Sequence, residues 1–130
     1  GGIEEFGWRG IFQEELTKKY NYFVSNIVIG SIWALWHLPL FYIVGTSHFE
    51  NIFIIFWFSC IGYSSFLTYL YAKTRSIFIS VVFHAMINAV AVVGLSLSLQ
   101  ENLSYFLLSI SMIFVGSWLL LNIDKQKKNS

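Results

Sequence analysis

The sequence predicts an all-α fold: a polytopic transmembrane helix bundle of four spans, preceded by an interfacial helix. Three observations carry this. The first is composition. Of 130 residues, 56% are hydrophobic and 12% charged, about half the charged fraction of a soluble domain. A soluble chain this small could not hide so much apolar surface. The second is four long apolar stretches at 22–44, 52–71, 77–97 and 103–123. Each approaches the ~20 residues needed to cross ~30 Å of hydrocarbon. The third is the distribution of charge. All eight basic residues fall before the first stretch (Arg9, Lys18, Lys19), between the second and third (Lys73, Arg75) or after the fourth (Lys125, Lys127, Lys128). The other two connectors carry Glu50 and Glu101 and no Lys or Arg. Positive-inside bias then predicts a multi-pass protein of the cell membrane, with the opening segment, the Lys73 loop and the C-terminus in the cytoplasm.

The elements follow in order. The chain opens Gly1-Gly2 without Met and is expected to be part of a larger bundle, with upstream helices missing. Residues 3–20 interleave Ile3, Phe6, Ile11, Phe12 and Leu16 with Glu4, Glu5, Arg9, Glu14 and Glu15. This pattern suits a helix reaching the cytoplasmic interface. Pro39 is placed to bend the first span near its end. The connectors 45–51, 72–76 and 98–102 are short, so successive helices should run antiparallel. Tyr20, Tyr22, Tyr71, Tyr105 and Trp118 suit interfacial anchoring. Residues 125–130 form a polar tail. The lone Cys60 sits in an apolar run and reads as a small buried residue. There is no period-2 alternation of the kind a membrane barrel needs, and a net charge of +1 points to no nucleic-acid partner.

The polar residues within the apolar stretches carry the chemistry. Glu5 and Arg9 are four apart and can pair on one helix face, which leaves Glu4 free to face elsewhere. By spacing alone this is also an ordinary ion pair at a solvated helix end. His37 lies in Trp33-Ala34-Leu35-Trp36-His37-Leu38-Pro39. His84 and Asn88 lie four apart in the third span and project from one face. Counting ~1.5 Å per residue puts His84 about 10 Å deep and His37 about 15–20 Å deep. Ionisable groups at such depth are costly and face a bundle interior or a wet cavity; a hydrogen bond between helices is the plainer alternative. His48, in an outside loop, reads as solvated, and Glu14, Glu15 and Glu50 as surface charges. There is no Gly-x-Ser-x-Gly, His-Glu-x-x-His, Cys-x-x-Cys or phosphate loop.

Peptide hydrolysis needs a base for water and donors for an oxyanion. A carboxylate can supply the first, and His84 with Asn88 the second, with Arg9 orienting Glu5. The same residues also allow a zinc site, because Glu4, His37 and His84 match a three-ligand shell with an open water position.

Glu4-Glu5-x-x-x-Arg9, an aromatic-x-x-x-His37 and His84-x-x-x-Asn88, in this order on separate membrane helices, resemble the three motifs of the CPBP family. This family comprises the type II CAAX prenyl proteases and the bacteriocin-processing or immunity proteases also called Abi. Trp33 stands where the second motif usually has Phe. The resemblance implies an intramembrane protease domain over 1–124, truncated at its N-terminus, and a cytoplasmic tail over 125–130. It implies an endopeptidase acting on a membrane-associated or lipidated peptide or protein. Carried over, Glu4 and His37 activate water, Glu5 pairs with Arg9, and His84 with Asn88 stabilises the intermediate. The glutamate mechanism without a cofactor is favoured over zinc, since Asn is a poor zinc ligand and a good oxyanion donor.

Two other functions compete. One is a non-enzymatic membrane protein conferring bacteriocin self-immunity or acting as a scaffold. The other is a fragment of a proton-coupled transporter, against which the lack of a second matching half argues.

Overall fold

The computed structural model describes residues 2–49, 51–97 and 102–129, and the side chains within them apart from 91–97, 102, 103 and 105. Glu50, Glu101, most of the 98–102 connector and the anchoring side chain expected at Tyr105 lie outside the described residues. The described residues hold helices and no strand. We group Glu5–Gly7, Trp8–Gln13 and Glu14–Leu16 as α1; the remaining helices are α2 (Tyr22–His37), α3 (Phe53–Thr74), α4 (Ile77–Leu97) and α5 (Asn102–Asn129). Three segments are long and apolar enough to cross a membrane: Tyr22–Tyr42, Phe53–Thr74 and Phe106–Asn129. The fourth expected span is α4, 21 residues long; its apolar stretch among the described residues is Ile77–Val90.

Local chemistry sets the helix ends. Asn21 caps α2 by accepting from the Val24 N–H at 2.8 Å. Asp124 adds its carboxylate to the same turn, accepting from the N–H groups of Tyr22 (2.8 Å) and Phe23 (3.2 Å). The free donors of a helix start are thereby satisfied by an anion, which the helix dipole favours. This bond ties α5 to α2, and α5 stays helical through Asn129, including the polar residues after Asp124. At the other end of α2, Pro39 lacks an N–H and its ring crowds the carbonyl four residues back. The α-helix accordingly stops at His37, and Leu38–Tyr42 continue as a 3₁₀ turn. Arg75 ends α3 in the left-handed region (φ 55°), with its N–H on the Tyr71 carbonyl at 2.8 Å.

Helix α3 is the centre of the bundle, packed by α2, α4 and α5. Its contact with α2 is antiparallel, as the short connector predicts: Asn26 donates to the Ile61 carbonyl (3.4 Å), and Trp57 donates to Ser31 (3.0 Å). Gly30 makes this approach possible, since a Cβ there would lie 2.8 Å from Ile61 Cα. On its α5 side, Ser59 meets Ser109 Oγ at 2.6 Å and Ser65 lies against Gly116. Small residues at such contacts let membrane helices pack closely, where apolar burial gives no drive.

One face of α1 is buried more deeply than a solvated helix end would be: Glu5, Arg9 and Gln13 are buried at 0%, 0% and 1% exposure and face the middle of α3, while Phe6 and Ile11 on the same helix are exposed. Arg9 donates to Ser64 and Gln13 donates to the Thr68 carbonyl. Pairing with Glu5 and Ser64 compensates the charge, so this face of the helix can be buried against α3. Arg9 therefore leaves the set of surface cations. The remaining seven lie on the segments that meet at one end of the bundle. There Arg75 pairs with Glu14, Lys73 donates to Gln126 (3.2 Å), and Lys127 sits over the Tyr22 ring.

Candidate active site

The site begins with a change of helical pitch. Residues 8–13 of α1 form a π-helix, a rare widening often found at functional sites. Wider turns rotate less per residue, so Glu5, Arg9 and Gln13 stay on one buried stripe instead of drifting round the rod. Glu4 precedes this stripe and points elsewhere. The adjacent acids thus enter different surroundings.

Glu5 is fully buried. One of its oxygens, Oε1, accepts from Arg9 Nη1 at 3.3 Å and from His84 Nδ1 at 2.8 Å, while Oε2 lies 3.1 Å from Arg9 Nη1. Arg9 Nη2 donates onward to the Ser64 hydroxyl (2.9 Å) and carbonyl (3.2 Å) of α3. Three helices are therefore joined through one carboxylate. Because an ionised carboxylate can only accept, His84 Nδ1 carries the proton, and the ring presents Nε2 away from Glu5.

Glu4 is half-buried and lies among neutral donors. Its Oε2 accepts from the indole N–H of Trp33 (3.2 Å) and of Trp8 (3.4 Å). Trp33 is 5% exposed and lies beside Glu4, Arg9, His37 and His84. Its ring stands edge-on to His84 at 5.0 Å and to His37 at 6.1 Å, and the Arg9 guanidinium lies 6.0 Å from its centroid. Its carbonyl faces His37 Nδ1 at 2.9 Å. A carbonyl also only accepts, so His37 Nδ1 carries the donated hydrogen and Nε2 is left free of this bond.

The structure thus joins Glu5, Arg9 and His84 directly, and brings Glu4 and His37 together through Trp33. Asn88, one turn beyond His84 on α4, is exposed. The expected solvation of His48 is overturned. Its ring is half-buried, stacked on Phe41 (5.1 Å) beside Phe56 (4.8 Å) and 5.9 Å from His37. The 3₁₀ turn after Pro39 folds the loop back onto the end of α2. Burial and then the nearby His37 lower the His48 pKa. Among the described residues, no three His, Cys, Asp or Glu side chains gather as a metal site would need. The set of Glu4, His37 and His84 considered for zinc does not converge in this arrangement.

Sequence reasoning missed Trp8, Ser64 and the indole function of Trp33. The aromatic at position 33 was visible as a motif element, but nothing local signals which carboxylate its N–H will find.

A polytopic helical membrane protein with a buried Glu–Arg–His network beside a half-buried glutamate is the class this fold and site define. The chain belongs to the type II CAAX prenyl endopeptidase Rce1-like family, whose model matches residues 1–90. It is 33% identical over 93 residues to the CAAX prenyl protease 2 of Methanococcus maripaludis, an alignment covering 66% of this chain and 34% of that protein. The chain therefore spans about a third of that relative's length. No solved structure matches it.

Proposed function

We propose that this chain carries the water-activating core of a membrane endopeptidase, acting on a membrane-associated or lipidated peptide. The observation that carries this reading is that Trp33 contacts each of three residues separately: its indole N–H bonds Glu4, its carbonyl faces His37 Nδ1, and its ring stands against His84. Family membership and the relative's name, a CAAX prenyl protease, support the substrate class. In this reading Glu4 takes a proton from water as the water oxygen attacks the scissile carbonyl carbon. The proton then passes to the leaving amine as the C–N bond breaks. His37 holds the same water through Nε2. His84 would aid the developing oxyanion through Nε2, which requires the doubly protonated ring; its Nδ1–H on Glu5 fixes the orientation. Asn88 belongs to this oxyanion role by its motif position alone.

The seven basic residues on segments meeting at one end favour placing that end, with the C-terminus, in the cytoplasm. The test of function is cleavage of a farnesylated CAAX peptide by the full-length protein in proteoliposomes, read by mass spectrometry. Release of the three terminal residues by wild type, and loss of about 10²–10⁴-fold in kcat in His37→Ala, is the expected result. Full activity in that variant would defeat the reading.

A further inference from the structure

Glu4 and Glu5 are held by different chemistry, and the difference isolates one side chain. Glu5 is bonded by a cation and a histidine. Both hydrogen bonds to Glu4 from the described side chains come from indoles, and both end on Oε2. An indole N–H can donate and cannot accept or take up a proton. It therefore orients a carboxylate without competing for the proton the carboxylate must handle. The two donors come from different elements, Trp8 from the π-helical part of α1 and Trp33 from α2, so the oxygen is fixed from two directions. With Oε2 held, Oε1 is the oxygen presented for proton transfer.

We infer that Trp33, with Trp8 as the weaker second donor, is the positioning residue of this site: its indole N–H aims the Glu4 carboxylate at the water it activates. This rests on the protease reading above and names a residue role within it. Phe has the ring but not the donor, so the indole has a task that its apolar body does not perform. The carbonyl that orients His37 belongs to the backbone of Trp33. Replacing the side chain therefore removes the Glu4 bond and leaves the His37 bond intact.

Two measurements on the full-length protein in nanodiscs test this. In ¹H–¹⁵N spectra of ¹⁵N-tryptophan protein, with indole signals assigned by single Trp→Phe variants, Glu4→Ala is expected to shift the Trp33 and Trp8 signals. Unmoved signals overturn the clamp whether or not the protein is a protease. In peptide cleavage, Trp33→Phe is expected to lower kcat about 10- to 100-fold, the range expected when a catalytic group is misplaced by about 1 Å. KM should stay within about twofold, since ground-state binding is untouched. Replacing Trp33 by benzothienylalanine, which keeps the bicyclic shape and lacks the N–H, should be as impaired as Phe. Recovery of activity with that isostere would show that shape matters and not the donor, and would overturn the assignment. Shifted signals in a wild-type protein that cleaves nothing would uphold the clamp and defeat only the protease reading.

Discussion

Glu4 and Glu5 are neighbours in the chain and opposites in the fold. Glu5 is sealed, ion-paired to Arg9, bonded to His84 and linked through Arg9 to Ser64. Glu4 is half-buried and receives two neutral N–H groups. A carboxylate locked to a guanidinium has its acceptor capacity committed and serves to hold helices together. A carboxylate held at one oxygen by neutral N–H donors keeps its other oxygen open to a further partner. One residue of helical rotation, about 100°, separates the sealed carboxylate from the one to which the proposed function gives the water.

Breaking the sealed half should have the largest effect. Arg9→Met leaves a buried carboxylate without its cation, and removing one partner of such a pair costs about 3–5 kcal/mol. Thermal unfolding in detergent should fall steeply. Glu5→Gln in the same protein should recover much of the loss, because the amide keeps an oxygen for His84 Nδ1. A double variant less stable than Arg9→Met alone would refute the pairing.

The two histidines sharpen the comparison at smaller scale. His84→Ala should cost about 1–3 kcal/mol of stability, since it removes a hydrogen bond to buried Glu5. His37→Ala, half-buried and bonded only to a helix carbonyl among the described residues, should cost under about 1 kcal/mol. Equal destabilisation by both would erase the distinction between the two halves.

The smallest expected effect is a pH dependence from His48. Burial first and His37 second lower its pKa below the 6.5 usual for histidine. A histidine whose folded pKa is depressed contributes stability that is fully present above the unfolded value, and that is lost as pH falls through the folded one. Midpoint temperature should therefore decline below about pH 6.5, and His48→Phe should flatten that decline. A slope unchanged by this substitution would place the titration elsewhere.

Much of this was legible in the sequence because it is periodic. Span length and the Glu5–Arg9 pairing depend on spacing along one helix. What escaped depends on which faces meet. Nothing within α4 states that His84 will find Glu5 of α1, and nothing near Tyr22 predicts that Asp124 caps that helix from the end of α5. The interleaved charged and apolar residues of α1 predict a helix reaching the interface and do not state which of its charges turn inward. Arg9 is neutralised inside, in a π-helical turn that no local pattern announces. The His48 loop likewise folds back only because Pro39 ends α2 where it does.

The most direct test compares Glu4→Gln with Glu5→Gln in the full-length protein, measuring kcat and the unfolding midpoint on the same preparations. The expected result is a split: Glu4→Gln loses about 10²–10⁴-fold in kcat with its midpoint unchanged, whereas Glu5→Gln lowers the midpoint. An active Glu4→Gln variant, or one that unfolds as readily as Glu5→Gln, would contradict the account.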